Sequence, residues 1–534
     1  MIQIIKALGL ITFIVGTNTE LLSRLIDMWD RGRYVSMLVF FVIWGISLLS
    51  LIVVFFNKSI GVRVLFGLLI SISTFCGMSY FSIGGHALNY MDMELLWISR
   101  AHSMKALDYY FPILVTPFIW GVFGFIIAIL PVNLPQRLTS YIKNFIFLVP
   151  LPYLILSTIT YKKAGYGTVG MPNQFSSVST FILLHAYDSV SRGMIEKRVA
   201  PYFQPEDKPL AKNIIFIMDE SIRGDYLSFD QETGTVPTLW DKRELFVDFG
   251  KMSSSNNCSG YSNAVFRMGG IRGKLESIGS NPFIWQYAKQ AGFKTWYLDA
   301  QLKRGELQNF MTEEERSYID EFVQLDKTEE PDLDYTFASK IKRITELKGK
   351  NFIFINKRGA HFPYAESYRL IGEPRYKPLM KKNQKPEKES MINSYKMAVY
   401  WNTNRFFEKL LESTLNDSFI FYTSDHGQNL FDKGQQTHCN TEGPAFSEGL
   451  VPFLIFPNER NFELVQKWKG VNHDKGTHFQ LFPSVLFSLG YNKEMIEKSY
   501  GPLLDKRAKF PQEFSAGPVL SKFGKEVDWN SISQ

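Results

Sequence analysis

Cysteine is scarce: Cys76, Cys258 and Cys439 are the only three in a chain of 534 residues. That excludes a scaffold held together by many disulfides. The lack of any C-x-x-C pair argues against a structural zinc knuckle. Runs of Lys and Arg of the nucleic-acid-binding type are also missing, although the net charge is +7. The surplus suits anionic lipid or an anionic substrate better than DNA or RNA. No internal repeat or low-complexity tract breaks the chain, and the Lys-rich stretch 377–388 reads as an exposed loop. The length exceeds that of one ordinary domain.

Charge is absent altogether from four long windows, 36–56, 64–85, 109–136 and 144–161. Each is near or above the roughly 18 to 20 residues needed to cross a bilayer, so they are read as membrane spans. A fifth, weaker window at 2–17 is interrupted by Lys6, and no Ala-x-Ala processing site follows it. It is taken as a first span entered from the cytoplasm rather than a cleaved signal. The loops around Lys58 and Arg63, and around Arg137 and Lys143, carry only positive charge, which assigns them to the inside. Five spans then place the rest of the chain outside; Lys162 and Lys163 run against that rule. The expected organisation is an α-helical transmembrane domain over 1–161, an interfacial helix and linker over 162–210, and an external domain over 211–534. Within the middle part, Phe181 to Val199 suits a helix lying on the membrane surface, and Pro201, Pro205 and Pro209 mark a linker.

From Lys212 onward short apolar runs recur: 213–218, 295–298, 351–355, 418–422 and 451–456. Runs this apolar predict strands covered on both faces, hence a mostly parallel sheet flanked by helices. Chemistry-bearing residues follow these strands. Asp219 and Glu220 end the first, His361 comes after the third, and Asp425 and His426 end the fourth, with His438 twelve residues on. In an open α/β sheet ligands bind at the C-terminal strand edge. Carboxylates and imidazoles together there suit a hydrolytic metal site with room for more than one ion. The segment Ser253 to Val265 adds hydroxyls at the start of a predicted helix, where one could act as nucleophile. Cys76 lies inside a predicted span and reads as packing, whereas an oxidising exterior permits a bridge between Cys258 and Cys439.

These residues resemble the membrane-anchored phosphoethanolamine transferases of Gram-negative bacteria, in the alkaline phosphatase and sulfatase superfamily. The resemblance covers the whole layout. It rests on Glu220-Ser221-Ile222-Arg223, a Cys-x-x-x-Thr-like segment at Cys258 to Ser262, Gly359-Ala360-His361-Phe362-Pro363, Ser424-Asp425-His426-Gly427, and the following His438. It implies an alkaline-phosphatase-like α/β domain in the periplasm, anchored to the inner membrane. It also implies Zn(2+) held by Glu220, Asp425, His426 and the nucleophile Ser262, with Ser259 the competing hydroxyl. His361, His438 and His478 would bind the substrate phosphate or a second zinc. The donor would be phosphatidylethanolamine and the acceptor lipid A, an oligosaccharide or another envelope glycan, with no part for nucleic acid.

Two departures stand out: Ser replaces the usual Thr, and the second cysteine of the family is replaced around Arg267-Met268. Cys258 is thereby left without a local partner, and the resemblance then implies a Cys258–Cys439 bridge. Phosphoglycerol transfer of the lipoteichoic-acid-synthase type is the alternative. A sulfatase is disfavoured because x-Pro-x-Arg does not follow Cys258, and a non-catalytic receptor would have no need of so many polar groups.

Overall fold

The computed structural model describes residues 1–98, 103–163, 165–191, 198–371, 373–377, 388–412, 415, 417–433, 436–517 and 527–533. The chain forms two compact units, Met1–Gly193 and Met194–Leu520, with small C-terminal pieces assigned to each. The division falls inside the 162–210 stretch expected to join the two domains.

The first unit is helical. Tyr34–Phe55, Ile60–Gly84 and Leu107–Ile129 are each long and apolar enough to cross a membrane. The pairs Ile2–Thr17 with Leu21–Asp30, bent by 56°, and Gln136–Asn144 with Ile146–Lys162, bent by 42°, raise the number to five if each counts as one span. Lys6, which interrupts the first apolar run, is fully buried, and its ammonium donates to the carbonyls of Ala128 at 2.9 Å and Leu130 at 2.7 Å. Arg63 donates to the Ile129 carbonyl at 2.8 Å. The two cations thus satisfy carbonyls that a helix C-terminus leaves without partners. The helix expected from Phe181 begins earlier, at Asn173, and runs to Ser191. Its Leu183 and Leu184 are buried with Tyr90 and Met91 inside this unit. Small polar residues at 173–180 hide this start in the sequence: Asn173 and Ser177 pack against Gly77, where an added methyl group would crowd them at 3.0 and 3.1 Å. Residues 192–197 of the expected surface helix lie outside the described residues.

The second unit is built on a seven-stranded sheet. Its strands are β1 (Asn213–Asp219), β2 (Val247–Ser253), β3 (Phe293–Asp299), β4 (Glu321–Gln324), β5 (Lys350–Asn356), β6 (Ser418–Ser424) and β9 (Leu450–Phe456). Between β6 and β9 lies a small ribbon of β7 (Asn429–Leu430) and β8 (Gln436–Thr437). The sheet order is β2-β9-β6-β1-β5-β3-β4. Pairs among β6, β1, β5, β3 and β4 are parallel, while β9 runs antiparallel to both its neighbours, β6 and the edge strand β2.

Side chains alternate between the two faces of each strand. On one face Ile215, Ile217, Ile353, Ile355, Ile420 and Tyr422 join a large apolar core. On the other, Phe216 lies level with Phe354 and Phe421, and Phe266 of the helix Ser259–Arg267 stacks on Phe216 with ring centroids 3.8 Å apart. This stack fixes that helix to the middle of the sheet. Register sets Asp219 opposite Ser424, so β1 and β6 finish together and bring Glu220 and Asp425 to one edge.

Candidate metal centre

Glu220 follows the last residue of β1 and is 1 % exposed. It is aimed by its neighbours. Ser221, at φ 60°, donates its hydroxyl to Glu220 Oε1 at 2.7 Å, and the Gln301 amide donates to Oε2 at 2.8 Å. The left-handed backbone of a non-glycine residue is a local strain of the kind held at functional sites. Tyr395 holds it in place by donating to the Ser221 carbonyl at 2.7 Å. Arg223 of the same motif turns away to Asp225 and Asp432, each at 2.7 Å, and so braces the loop rather than the site.

Asp425 Oδ1 accepts the backbone N–H groups of Ser221 at 3.1 Å and His426 at 2.8 Å. Its Oδ2 is buried and accepts no hydrogen bond, yet stands 3.6 Å from His426 Nε2. Burial and the neighbouring Glu220 charge push the Asp425 carboxyl up to about 8. Burial also works to raise Glu220, but the hydrogen bond and charge of His426 outweigh it and hold that carboxyl well below its usual range. His426 is lifted to about 9, the charges of Asp425 and Glu220 overcoming a burial that acts the other way. Two carboxylates this close cannot both stay ionised without added positive charge.

His426 Nδ1 lies 2.6 Å from the Gly427 carbonyl, which fixes a proton on Nδ1 and aims Nε2 inward, the nitrogen that must shed its proton to bind a metal. His438 Nδ1 is likewise tied to Gln428 Oε1 at 3.0 Å. Burial, then the charge of His426, holds His438 well below its ordinary value, so it stays neutral. The donor atoms of Glu220, His426 and His438 all lie within 4.8 Å of one another. Inward lone pairs, second nitrogens anchored to carbonyl oxygens and an orphaned carboxylate oxygen form a donor set that fits a zinc ion.

The hydroxyl in this cluster belongs to Ser259. Its Oγ lies 3.0 Å from His426 Nε2 and 3.2 Å from Glu220 Oε2. Ser259 opens the helix Ser259–Arg267, whose first-turn N–H groups favour an anion such as phosphate. Ser262, expected as nucleophile and ligand, does not join them. It is fully buried, and its hydroxyl donates to the Asn256 carbonyl at 2.9 Å.

His361 lies close enough to influence the charge of Glu220 and His438, with Nδ1 2.5 Å from the Phe362 carbonyl. His478 is buried with Nε2 3.1 Å from Thr423 Oγ1, and burial drives its pKa down to about 3. It is a neutral group hydrogen-bonded to β6 rather than a member of the donor cluster.

Cys258 and Cys439 form a disulfide with Cα atoms 4.7 Å apart. The bridge joins the residue before Ser259 to the residue after His438. Asn257 and Glu448 reinforce it: Asn257 donates to Glu448 at 2.8 Å, and Cys439 N–H donates to the Asn257 carbonyl at 3.0 Å. Arg267, where the sequence lacks a second local cysteine, is fully buried in an ion pair with Glu315 and bonds the Asn309 carbonyl. Gln301, Lys357 and Asp334 were not legible as site residues, because their partners are far away in sequence.

A mostly parallel α/β domain with acids and imidazoles at its strand ends, and a serine at a helix start beside them, resembles the alkaline-phosphatase-like fold. The sulfatase family model matches residues 212–491, more than half of the chain, and the chain belongs to that family. Among solved structures, it is similar to the integral membrane protein lipooligosaccharide phosphoethanolamine transferase A (EptA) from Neisseria meningitidis. That likeness has 15% identity and a TM-score of 0.64, covering 94% of this chain and 98% of the other. It is also similar to the C-terminal periplasmic domain of EcEptC from Escherichia coli in complex with Zn. Here identity is 15% and the TM-score 0.50, covering 63% of this chain and 97% of that one. These likenesses show a shared fold. No curated protein matches the chain by sequence.

Proposed function

We propose that the chain transfers phosphoethanolamine from phosphatidylethanolamine to an acceptor in the cell envelope, through a phosphorylated Ser259 and with zinc as cofactor. The observation that carries this reading is the Ser259 hydroxyl, at a helix start and within 3.2 Å of both His426 and Glu220. A zinc ion would be held by Glu220, His426 and His438 with Asp425, and would supply Lewis acidity that lowers the pKa of a serine hydroxyl.

Ser259 Oγ then attacks phosphorus in line. A new Oγ–P bond forms, the bond from phosphorus to the diacylglycerol oxygen breaks, and the serine proton ends on the diacylglycerol hydroxyl. In the second half an acceptor hydroxyl or phosphate attacks the phosphoserine and frees Ser259. His361, beside this cluster, would face the oxygens of the phosphoryl group as they gather charge. Covalent attachment to membrane-spanning helices keeps the domain beside a lipid donor whose diacylglycerol product stays in the bilayer.

The choice of ethanolamine rests on the Ser424-Asp425-His426-Gly427 motif with its following His438, and on the full-length likeness to EptA. Placement of the domain in the periplasm, with the helices in the inner membrane, belongs to the same proposal, as do lipid A, an oligosaccharide or another glycan as acceptor. Mass spectrometry of envelope lipids and glycans, with and without the protein, tests it. An added phosphoethanolamine that vanishes with Ser259→Ala is expected, and an added phosphoglycerol instead would assign the other head group.

A further inference from the structure

Lys357 takes no part in the chemistry just described, yet it is a charged side chain with no exposure at all. It directly follows β5, and its ammonium sits 2.5 Å from Asp219 Oδ2 and 3.7 Å from Asp334 Oδ2. Each carboxylate serves a different part of the site. Asp219 Oδ1 accepts the N–H of Glu220 at 3.0 Å, while its Oδ2 also takes the hydroxyls of Thr403 and Tyr422, both at 2.9 Å. Asp334 accepts the N–H groups of Arg358 at 2.9 Å and Gly359 at 3.0 Å, which begin the loop that carries His361. The two parts are joined again by the Ala360 N–H, which donates to the Glu220 carbonyl at 3.0 Å. Gln301 closes the circuit by bonding both Glu220 Oε2 at 2.8 Å and the Lys357 carbonyl at 2.9 Å.

We propose that Lys357 is a positioning residue for the metal centre: its ammonium, held between Asp219 and Asp334, fixes the two backbone segments that present Glu220 and His361. Five buried carboxylates, Asp219, Glu220, Asp299, Asp334 and Asp425, lie at this edge of the sheet, with Asp299 held by the amides of Gln308, Gln324 and Asn356. Like charges brought together in a dry interior must separate, take up protons or find a cation. Lys357 is the cation for the pair that does not face the donor cluster, which leaves Glu220 and Asp425 for the metal. Without it Asp219 and Asp334 lose their common partner, and the N–H groups they hold are released at Glu220, Arg358 and Gly359. Being enclosed, Lys357 acts through these neighbours and never on substrate.

The inference rests on the metal-centred reading above. It is tested by zinc titration of the full chain in detergent against a competing chelator, with thermal unfolding of the metal-free protein followed in parallel. Lys357→Met is expected to weaken zinc binding by about tenfold or more, the size of effect seen when outer partners of metal ligands are removed. The double variant Asp219→Asn with Lys357→Met keeps the acceptor for the Glu220 N–H and restores the charge balance. It is expected to bind zinc within about threefold of wild type, because a buried pair removed together leaves no uncompensated charge. If Lys357→Met does not fold, a double variant that folds and binds zinc gives the same answer. Zinc affinity unchanged in a folded Lys357→Met, or a double variant as weak as the single, overturns the inference. Wild-type protein that takes up no zinc overturns the metal reading itself, and this inference with it.

Discussion

Cys258 and Cys439 are bonded to each other, and each adjoins a residue of the site, Ser259 on one side and His438 on the other. The bridge spans a sequence separation of 181 residues. Chain-entropy arguments give a loop of that length about 5 kcal/mol of stabilisation as an upper value. Replacing both cysteines by Ser is expected to lower stability by about 2–5 kcal/mol in chemical denaturation. It should also weaken zinc binding, because His438 loses its covalent tie to the nucleophile helix. Unchanged zinc affinity would mean that Asn257 and Glu448 hold the two loops without it.

Ser259→Ala is expected to abolish the phospho-enzyme and cut turnover by about 10³-fold or more, with the fold retained. Ser262→Ala should stay active within a few-fold. It loses two buried hydrogen bonds, the one to Asn256 and a long one from Ser255 at 3.5 Å, each worth about 1 kcal/mol at most, while Ser254 continues to donate to the same Asn256 carbonyl at 2.8 Å. Labelled phosphate on Ser262, or on neither serine, would contradict this assignment.

Zinc must compete with protons. In the metal-free protein Asp425 keeps its proton up to about 8 and His426 up to about 9, and both must release it to act as ligands. Zinc affinity should therefore rise with pH through the neutral and mildly alkaline range and level off once both groups have released their protons. Asp425→Ala or His426→Ala should eliminate tight zinc binding, as read by metal analysis after dialysis. A flat affinity across pH 6 to 9 would show that these two groups are not the ligands.

Gly359 has φ 52°, and a methyl group added there would lie 2.4 Å from Asp219 Oδ1 and 2.5 Å from the Glu220 carbonyl oxygen. Gly359→Ala should cost about 1–3 kcal/mol from backbone strain alone. Displacement of Glu220 should also lower zinc occupancy. Wild-type stability and zinc content in this variant would show that the loop can move without consequence.

The strands that carry the site were legible because β1, β5, β6 and β9 are unbroken apolar runs, as strands buried on both faces must be. β2 and β4 were not, since Val247–Ser253 includes Asp248, Gly250 and Lys251, and Glu321–Gln324 is short and half-buried at the sheet edge. Glu220, Asp425 and His426 drew attention as candidates because they directly follow β1 and β6. The hydroxyl that lies beside the donor cluster was not the one expected, for a geometric reason. Residues three apart on a helix differ by only about 60° around its axis, so spacing alone cannot separate Ser259 from Ser262. What separates them is depth along the axis: Ser259 opens the helix toward the donor cluster, while Ser262 lies a turn inside and folds back on Asn256.

The stack of Phe266 on Phe216 has a mechanical side. The helix Ser259–Arg267 is a short beam gripped at both ends, by Cys258 at its head and by Phe266 and Arg267 at its foot. A beam so held has almost no travel, so the Ser259 oxygen at its head keeps one place. In the proposed transfer, whatever must shift to admit a head group and release a product would have to be found in the incoming molecules rather than in this helix.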